Sequence, residues 1–569
     1  MLAQIQSKNT FKRVIVSNNF FFSILVLLFS FQLFIIGKFP ITDSTESRYA
    51  NISLNMVLTN DWITPKFLNQ RPYFGKPPFV FWVEALSYKI FGFNEFAPRF
   101  PSILASMLTL FFTFLIARTF FDRRAAILSL IITYTSIMFF IESNVVSIDI
   151  FVAMVTTGLI YFVRRKEVAI KNNESRSYIY DIGLGVLIGF ALLIKGVAPI
   201  AYFIGPLFLF SVFTRSVKLL FVPNWFIACT VGIIVAAPWF IISEKLYPGF
   251  LKYFFINEHF LRYIKKDYGD LYTAGHDEPF GMSWIFTFIS LSPWLLLVLP
   301  LGMCAKDKIS KLNEKSKKNT VKAFLFLFSW TIFTPLFFSF AKSYLMAYFS
   351  AAIPPLAILL GRYLSKTLFY ARYNQENFKK RHLIIFLLTN IGIIVALNID
   401  IVHLKKYHIP YQMLVGQYLL IFVMMVLLLG FYLLKNLKIR LITLLLPIIF
   451  FTPIIIDLWF TKLLTNEFNS RSQKGLIVNL LRANKEYLTY PMVTHFGSIQ
   501  DSVDFYKKLY VLKFHIKEKN EYDAQLVIVK DHQVKNFLRK NDLSKETKPV
   551  ADYSDYKIYK IGLDKNSHA

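Results

Sequence analysis

Read for its alternation of apolar and polar stretches, the chain divides into long, nearly uncharged runs separated by short charged loops. Runs of this length and apolarity predict membrane-spanning helices rather than buried core helices. They fall at about 20–36, 99–119, 125–141, 148–163, 179–194, 197–213, 221–242, 283–301, 323–340, 345–361, 383–398, 416–434 and 441–460. The expected fold class is therefore a polytopic α-helical membrane protein of about 13 transmembrane helices. Two connections are long. The first, about 37–98, contains MVLTNDWITPKF and FVFWVEALSYKIF, and the second, about 243–282, contains FLKYFFINEHFLRYI. Their patterning predicts short helices along the membrane interface. After about residue 461 the pattern changes. VTHFGSIQDSVDFYKKLYVLKF reads as strand, helix, strand; AQLVIVKDHQVKNFLRK as strand then helix; and DYKIYKIGL as a last strand. Residues 461–569 are thus expected to form a small α/β domain, after a membrane domain at 1–460 with outer loops 37–98 and 243–282.

Composition agrees with a lipid environment: 55% of the 569 residues are hydrophobic, 61 are Phe, and mean hydropathy is +0.47. A net charge of +29 would suggest nucleic acid in a soluble protein. Here the basic residues cluster in alternate short loops, such as Arg123-Arg124, Arg164-Arg165-Lys166 and Lys379-Lys380-Arg381. The positive-inside rule accounts for that distribution, and no nucleic acid partner is expected. It places the two long loops and the C-terminal domain on the outer face, and predicts an uncleaved N-terminal anchor. The two cysteines, Cys229 and Cys304, suggest neither a disulfide framework nor a thiolate metal site.

On this topology the ionisable residues at span ends gather on the outer side. Asp43, Glu46, Arg48, Tyr49 and Lys76 lie in the first long loop. Asp149 opens the fourth span, with Glu142 before it, and Lys195 ends the fifth. His259 and Arg262 lie in the second long loop, and Lys342, Tyr344 and Tyr348 between the ninth and tenth spans. A lysine or arginine at a span end is commonly an interface anchor, and Glu142 reads as interfacial. A lone loop histidine is more often hydrogen-bonded than metal-bound. Carboxylates beside several cations, however, suit a site that holds a phosphate and acts on a bond next to it.

These stretches resemble a known family. ESRYANISLNMVLTNDWITPKFLNQRPYFGKPPFVFW is similar to the first outer loop of bacterial 4-amino-4-deoxy-L-arabinose lipid A transferases, members of the GT-C superfamily that includes protein O-mannosyltransferases. The likeness continues through FGFNEFAPRFPSILA, SIDIFVAM, LIKG, FFINEHFLRY and FSFAKSYLMAY, over about residues 20–360. The resemblance implies an inverting transferase in the bacterial inner membrane, moving a sugar from undecaprenyl phosphate to a periplasmic acceptor. It implies Asp43, Glu46 and Asp149 as catalytic carboxylates, and Arg48, Tyr49, Lys76, Lys195, His259, Arg262, Lys342 and Tyr348 as substrate-binding residues. The family's Asp-Glu-x-Arg-Tyr reads Thr45-Glu46-Ser47-Arg48-Tyr49 here, which leaves open whether Asp43 or Glu46 takes the aspartate's role. Its Glu-Lys-Pro reads Gly75-Lys76-Pro77, so a zinc site pairing that glutamate with the histidine loses a ligand. No metal is expected at His259, and no divalent cation is indicated elsewhere. Lipid A is the leading acceptor and a monomer the expected state. A protein hydroxyl or another envelope glycan remains open as acceptor, as do a non-enzymatic lipid-linked sugar transporter and a scaffold.

Overall fold

The computed structural model describes residues 18–43, 45–261, 278–294, 314–341, 343–370, 449, 474–494, 501–516, 524–530, 533–540, 547–553 and 556–562. The expected spans at 383–398, 416–434 and 441–460, apart from residue 449, and the second half of that at 283–301, lie outside them. The chain forms two compact units. One comprises Met1–Leu33, Phe74–Val80 and Ser102–Asp457; the other comprises Phe34–Tyr73, Phe81–Pro101 and Leu458–Ala569.

The first unit is a helical bundle. Its helices include Phe100–Phe120, Arg123–Tyr134, Ile137–Asn144, Asp149–Lys171, Ile179–Lys195, Ala198–Thr214, Trp225–Leu246, Met282–Ser290, Glu314–Ser339 and Ile353–Tyr370. Among the described residues four helical stretches are long and apolar enough to cross a membrane: Phe100–Phe120, Trp225–Leu246, Lys318–Ser339 and Met346–Lys366. The pair Arg123–Tyr134 and Ile137–Asn144, bent by 65°, would make a fifth. This is a multi-pass membrane protein. The bend has a local cause. Thr135 and Ser136 hydroxyls donate back to the Ile131 and Ile132 carbonyls, both at 2.6 Å, and such bonds compete with the helical ladder. The Ile137 amide then donates to the Ser292 carbonyl at 2.8 Å instead. Elsewhere small residues let backbones meet: a Cβ on Gly185 would lie 2.6 Å from the Ala228 carbonyl oxygen, so Ile179–Lys195 packs directly on Trp225–Leu246. One shared ion pair locks these helices to a third: buried Asp181 binds Lys166 and also accepts from the Asn224 amide at 3.0 Å.

The second unit brings first-loop residues together with C-terminal ones, so it is larger than the 461–569 stretch read from composition. Four strands, β1 (Met492–Thr494), β2 (Ala524–Lys530), β3 (Ala551–Tyr553) and β4 (Tyr556–Gly562), form a sheet of order β1-β2-β4-β3. The β1–β2 pair is parallel, and β4 runs antiparallel to both β2 and β3. Val527, Val529, Phe537, Leu538 and Tyr559 form its core.

Two sequence expectations are corrected here. YVLKF is not a strand: it continues the Asp501–Lys513 helix, whose Phe505, Tyr506 and Leu509 are buried at helical spacing. The first-loop helix runs Thr45–Thr59, earlier than MVLTNDWITPKF suggested. Asn60 turns left-handed at φ 56, Asp61 accepts from the Ile63 and Thr64 amides, both at 3.1 Å, and Pro65 follows. That sequence of devices stops a helix.

Candidate functional site

In the first unit Asp149 is the first residue of its helix and Lys195 the last of its own. Each charge therefore sits at the helix end whose dipole favours it. They meet as an ion pair, Lys195 Nζ to Asp149 Oδ1 at 2.5 Å, and the ammonium stands 3.8 Å from the Tyr348 ring centroid. Behind Asp149, the Ser147 hydroxyl oxygen accepts from the Asp149 amide at 3.1 Å and itself bonds Glu142. Glu142 is buried at 7% exposure. It braces the turn that presents Asp149.

The second long loop supplies the next partners. Phe250–Lys252 leads into a π-helix, Tyr253–Leu261. Glu258, buried within it, pairs with Lys76 at 2.8 Å. The neighbouring His259 places Nε2 2.9 Å from the Lys195 carbonyl and Nδ1 2.7 Å from the Phe254 carbonyl. His259 thus caps the helix that ends in Lys195, satisfying a carbonyl the helix leaves open. Gly196 permits this approach: it has φ 64, and a Cβ there would lie 2.3 Å from His259 Nε2. Burial holds the His259 imidazole below its ordinary pKa, with the Lys76 charge acting the same way and the two carbonyl contacts opposing. A neutral imidazole has one N–H for two carbonyls, whereas the cation serves both. Lys76, Asp149, Lys195, His259 and Tyr348 therefore form one connected patch.

The same contacts bear on His259 as a zinc ligand. Gly75 stands where the resembling family has a carboxylate, and both His259 nitrogens face carbonyl oxygens. The residues present do not fit a zinc ion at His259. No group of three His, Cys, Asp or Glu side chains suited to a metal occurs among the described residues.

Glu46, Asp43, Arg48 and Tyr49 lie in the second unit. Glu46 receives Arg99 on both oxygens, at 2.7 and 3.1 Å, and also the Thr42 amide and hydroxyl. Arg99 is fully buried; its remaining donors reach the Ile36, Phe39 and Pro40 carbonyls, and its plane lies on Phe39. Such complete pairing is what a buried ion pair requires. Asp43 accepts from the Ser502 amide at 2.7 Å, from the Ser502 hydroxyl and from Ser47 at 2.9 Å. Burial nevertheless raises its pKa. Arg48 pairs with Asp501. Tyr49 packs edge-on against Phe81, ring centroids 5.6 Å apart. Glu84, fully buried and bonded to Ser53, is pushed up to about 8 by that burial. Arg262 and Lys342 lie outside the described residues.

Sequence reasoning did not single out Glu258, Arg99 or Asp501. Glu258 was within reach, because it precedes His259 in a stretch already marked, and Arg99 lies inside FAPRF. Asp501 had no local signal.

With this geometry in hand, comparison with known proteins is informative. Residues 75–242 match the family model described as dolichyl-phosphate-mannose-protein mannosyltransferase. Undecaprenyl phosphate-alpha-4-amino-4-deoxy-L-arabinose arabinosyl transferases are 29% identical over 324 residues in Edwardsiella ictaluri and 30% over 339 residues in Aeromonas hydrophila. These alignments cover 56% and 58% of this chain and 55% and 57% of those relatives, so the chain matches a little over half their length. The crystal structure of ArnT from Cupriavidus metallidurans bound to undecaprenyl phosphate superposes with a TM-score of 0.73 at 18% identity, covering 96% of this chain and 98% of that one. Its apo form gives 0.70 at 18% identity, over 95% and 97%. The chain has the fold of these two ArnT structures. This agrees with the resemblance read from the first-loop motif, and it extends the likeness from about residues 20–360 to nearly the whole chain.

The close approach at Gly196 yields a prediction. Gly196→Ala adds strain at positive φ and a methyl group where His259 Nε2 lies. The cap is expected to break and the Asp149–Lys195 pair to shift, lowering turnover at least about tenfold while the protein remains folded. Turnover and thermal midpoint measured side by side check it.

Proposed function

We propose that the chain is an inverting glycosyltransferase moving a sugar from undecaprenyl phosphate to lipid A on the periplasmic side of the bacterial inner membrane. The observation that carries this is the connected Asp149–Lys195–Tyr348 and Lys76–Glu258–His259 patch, on a fold similar to a structure bound to undecaprenyl phosphate. The acceptor oxygen forms its bond to the anomeric carbon on the face opposite the phosphate. The carbon–oxygen bond to the phosphate breaks, and its electron pair leaves with undecaprenyl phosphate, which inverts the centre. Lys76 and Lys195 stabilise the charge growing on the leaving phosphate. Asp149 takes the proton if the acceptor is a hydroxyl; a phosphate acceptor is already ionised and needs no base. Tyr348 supports the Lys195 ammonium through its ring.

His259, whose nitrogens face carbonyls, serves this site by fixing Lys195 rather than by binding phosphate. Of the two first-loop carboxylates, Glu46 is committed to Arg99, so Asp43 is the better catalytic candidate. Arg48, Tyr49, Arg262 and Lys342 are assigned to the donor by resemblance. About 13 spans, an outer C-terminal domain at 461–569 and a monomeric state complete the proposal.

A second reading, transfer to a protein hydroxyl, is favoured by the mannosyltransferase family model at 75–242. Mass spectrometry of lipid A from a deletion strain separates the two. A sugar-sized mass lost in the deletion and restored by the wild-type gene is expected. Unchanged lipid A, with sugar lost from envelope proteins, would move the acceptor to protein.

A further inference from the structure

At the end of the helical bundle away from Asp149, three cations converge on one carboxylate. Glu167 lies near the last turn of the 23-residue helix Asp149–Lys171, about 27 Å along its axis from Asp149. It is buried. Its Oε2 pairs with Arg164, and its Oε1 receives Lys171 Nζ at 2.7 Å and Lys322 Nζ at 3.4 Å. Arg164 is fixed in turn, with Nε 3.3 Å from Thr119 Oγ1 and its guanidinium 4.2 Å from the Phe120 ring centroid. Phe120 packs on Phe326, one turn beyond Lys322, with ring centroids 5.6 Å apart. Three helices meet here: Phe100–Phe120, Asp149–Lys171 and Lys318–Ser339. The first and third are long and apolar enough to cross a membrane, so the cluster at their ends stands at a membrane–water boundary.

The neighbouring cations are matched one to one, Arg165 with Glu174 and Lys166 with Asp181. This cluster is not. Glu167 is the one carboxylate paired with Arg164, Lys171 or Lys322 among the described residues, which leaves an excess of two positive charges. The positive-inside rule gathers basic residues in such loops, but it does not draw two ammonium groups onto one oxygen. Like charges so close repel each other, and the Lys171 and Lys322 side chains remain 60% and 49% exposed. A second anion beside Glu167 relieves that repulsion.

We propose that Arg164, Lys171 and Lys322 form a binding site for the phosphate of an anionic phospholipid, separate from the candidate sugar-transfer site. Basic pockets between membrane helices suit lipid head groups. The phosphate oxygens accept from Lys171 and Lys322, which come from different helices, so the lipid bridges Asp149–Lys171 to Lys318–Ser339. Arg164, bound to Glu167 and stacked on Phe120, holds the carboxylate that gathers the two lysines. The boundary position favours a lipid over a soluble anion, because a lipid phosphate resides at that depth while its chains run beside the apolar helices. Occupancy of this site depends on neither the donor nor the acceptor of the sugar transfer.

The test titrates the full-length protein in detergent with phosphatidylglycerol or phosphatidylcholine, read by native mass spectrometry and thermal midpoint. Wild type is expected to bind phosphatidylglycerol at least about fivefold more tightly than phosphatidylcholine, and to gain thermal midpoint from it. Lys322→Gln should weaken phosphatidylglycerol binding about fivefold, and Lys171→Gln combined with Lys322→Gln about twentyfold. Lys218→Gln, which removes an exposed charge from another loop, should match wild type. Glu167→Gln removes the competing carboxylate, so it should bind phosphatidylglycerol at least as tightly as wild type, while its midpoint without lipid falls. Equal affinity for the two lipids, or equal losses in Lys322→Gln and Lys218→Gln, overturns the proposal. Inorganic phosphate raising the midpoint as much as phosphatidylglycerol does overturns the lipid assignment in favour of a soluble anion. Lost affinity in a folded Glu167→Gln overturns it in favour of a purely structural ion-pair network.

Discussion

Asp149→Asn is expected to cut sugar transfer about a hundredfold to ten-thousandfold while donor binding persists, if the acceptor is a hydroxyl. The substitution keeps the side chain's size and one oxygen but removes both the proton acceptor and the charge opposite Lys195, 2.5 Å away. Lys195 is 6% exposed, so an unpaired ammonium there would seek another anion, and the donor phosphate is the one the proposal supplies. Donor affinity should therefore hold or rise while kcat falls. Transfer of radiolabelled sugar in proteoliposomes, beside a lipid-phosphate binding curve, reads both quantities. Unchanged turnover would remove Asp149 from the chemistry. Equal losses in binding and turnover would make the pair a structural bolt.

The largest effect on stability belongs to Arg99. Replacing it with Met leaves the Glu46 carboxylate buried without its counter-charge and strips a donor from three backbone carbonyls. Breaking a buried pair from one side costs about 3–5 kcal/mol, enough to deplete a marginally stable fold. Yield of folded protein and thermal midpoint should both fall sharply. Glu46→Gln is milder, since the amide oxygen still accepts from Arg99. Its residual transfer activity should follow the amount of folded protein. A well-folded but inactive Glu46→Gln would return Glu46 to the catalytic set.

The pH dependence of the patch can be checked apart from these variants. His259 lies below its ordinary pKa, so the folded state binds this proton less tightly than the unfolded chain. Its contribution to stability therefore falls as pH drops through the ordinary histidine range and is complete above it. The thermal midpoint of wild type should decline more steeply on acidification there than that of His259→Gln, which has no proton to take up.

Much of this protein was legible along the chain because lipid imposes a local rule. A backbone crossing hydrocarbon must satisfy its own hydrogen bonds, so apolar length alone marks a helix. Asp149 and Lys195 stood out for the same reason: a charge at the end of such a run is costly enough to need a purpose. The local rule failed where short-range signals competed. YVLKF has the composition of a strand, yet it is helical because Phe505, Tyr506 and Leu509 bury one helical face.

What pairs with what was decided only by tertiary structure. Glu46 and Arg48 are two residues apart and looked alike as site candidates, but one is sealed by Arg99 and the other meets Asp501, 453 positions away. Asp43 had no partner legible along the chain, and folding gave it Ser502, 459 positions away. The resemblance implied His259 as a substrate-binding residue, whereas the Lys195 carbonyl and the space left by Gly196 make it a helix cap. Hydrophobic periodicity is a property of neighbours in sequence. The partner of a buried charge is set by which distant elements the fold brings within about 3 Å of it, and no spacing along the chain encodes that.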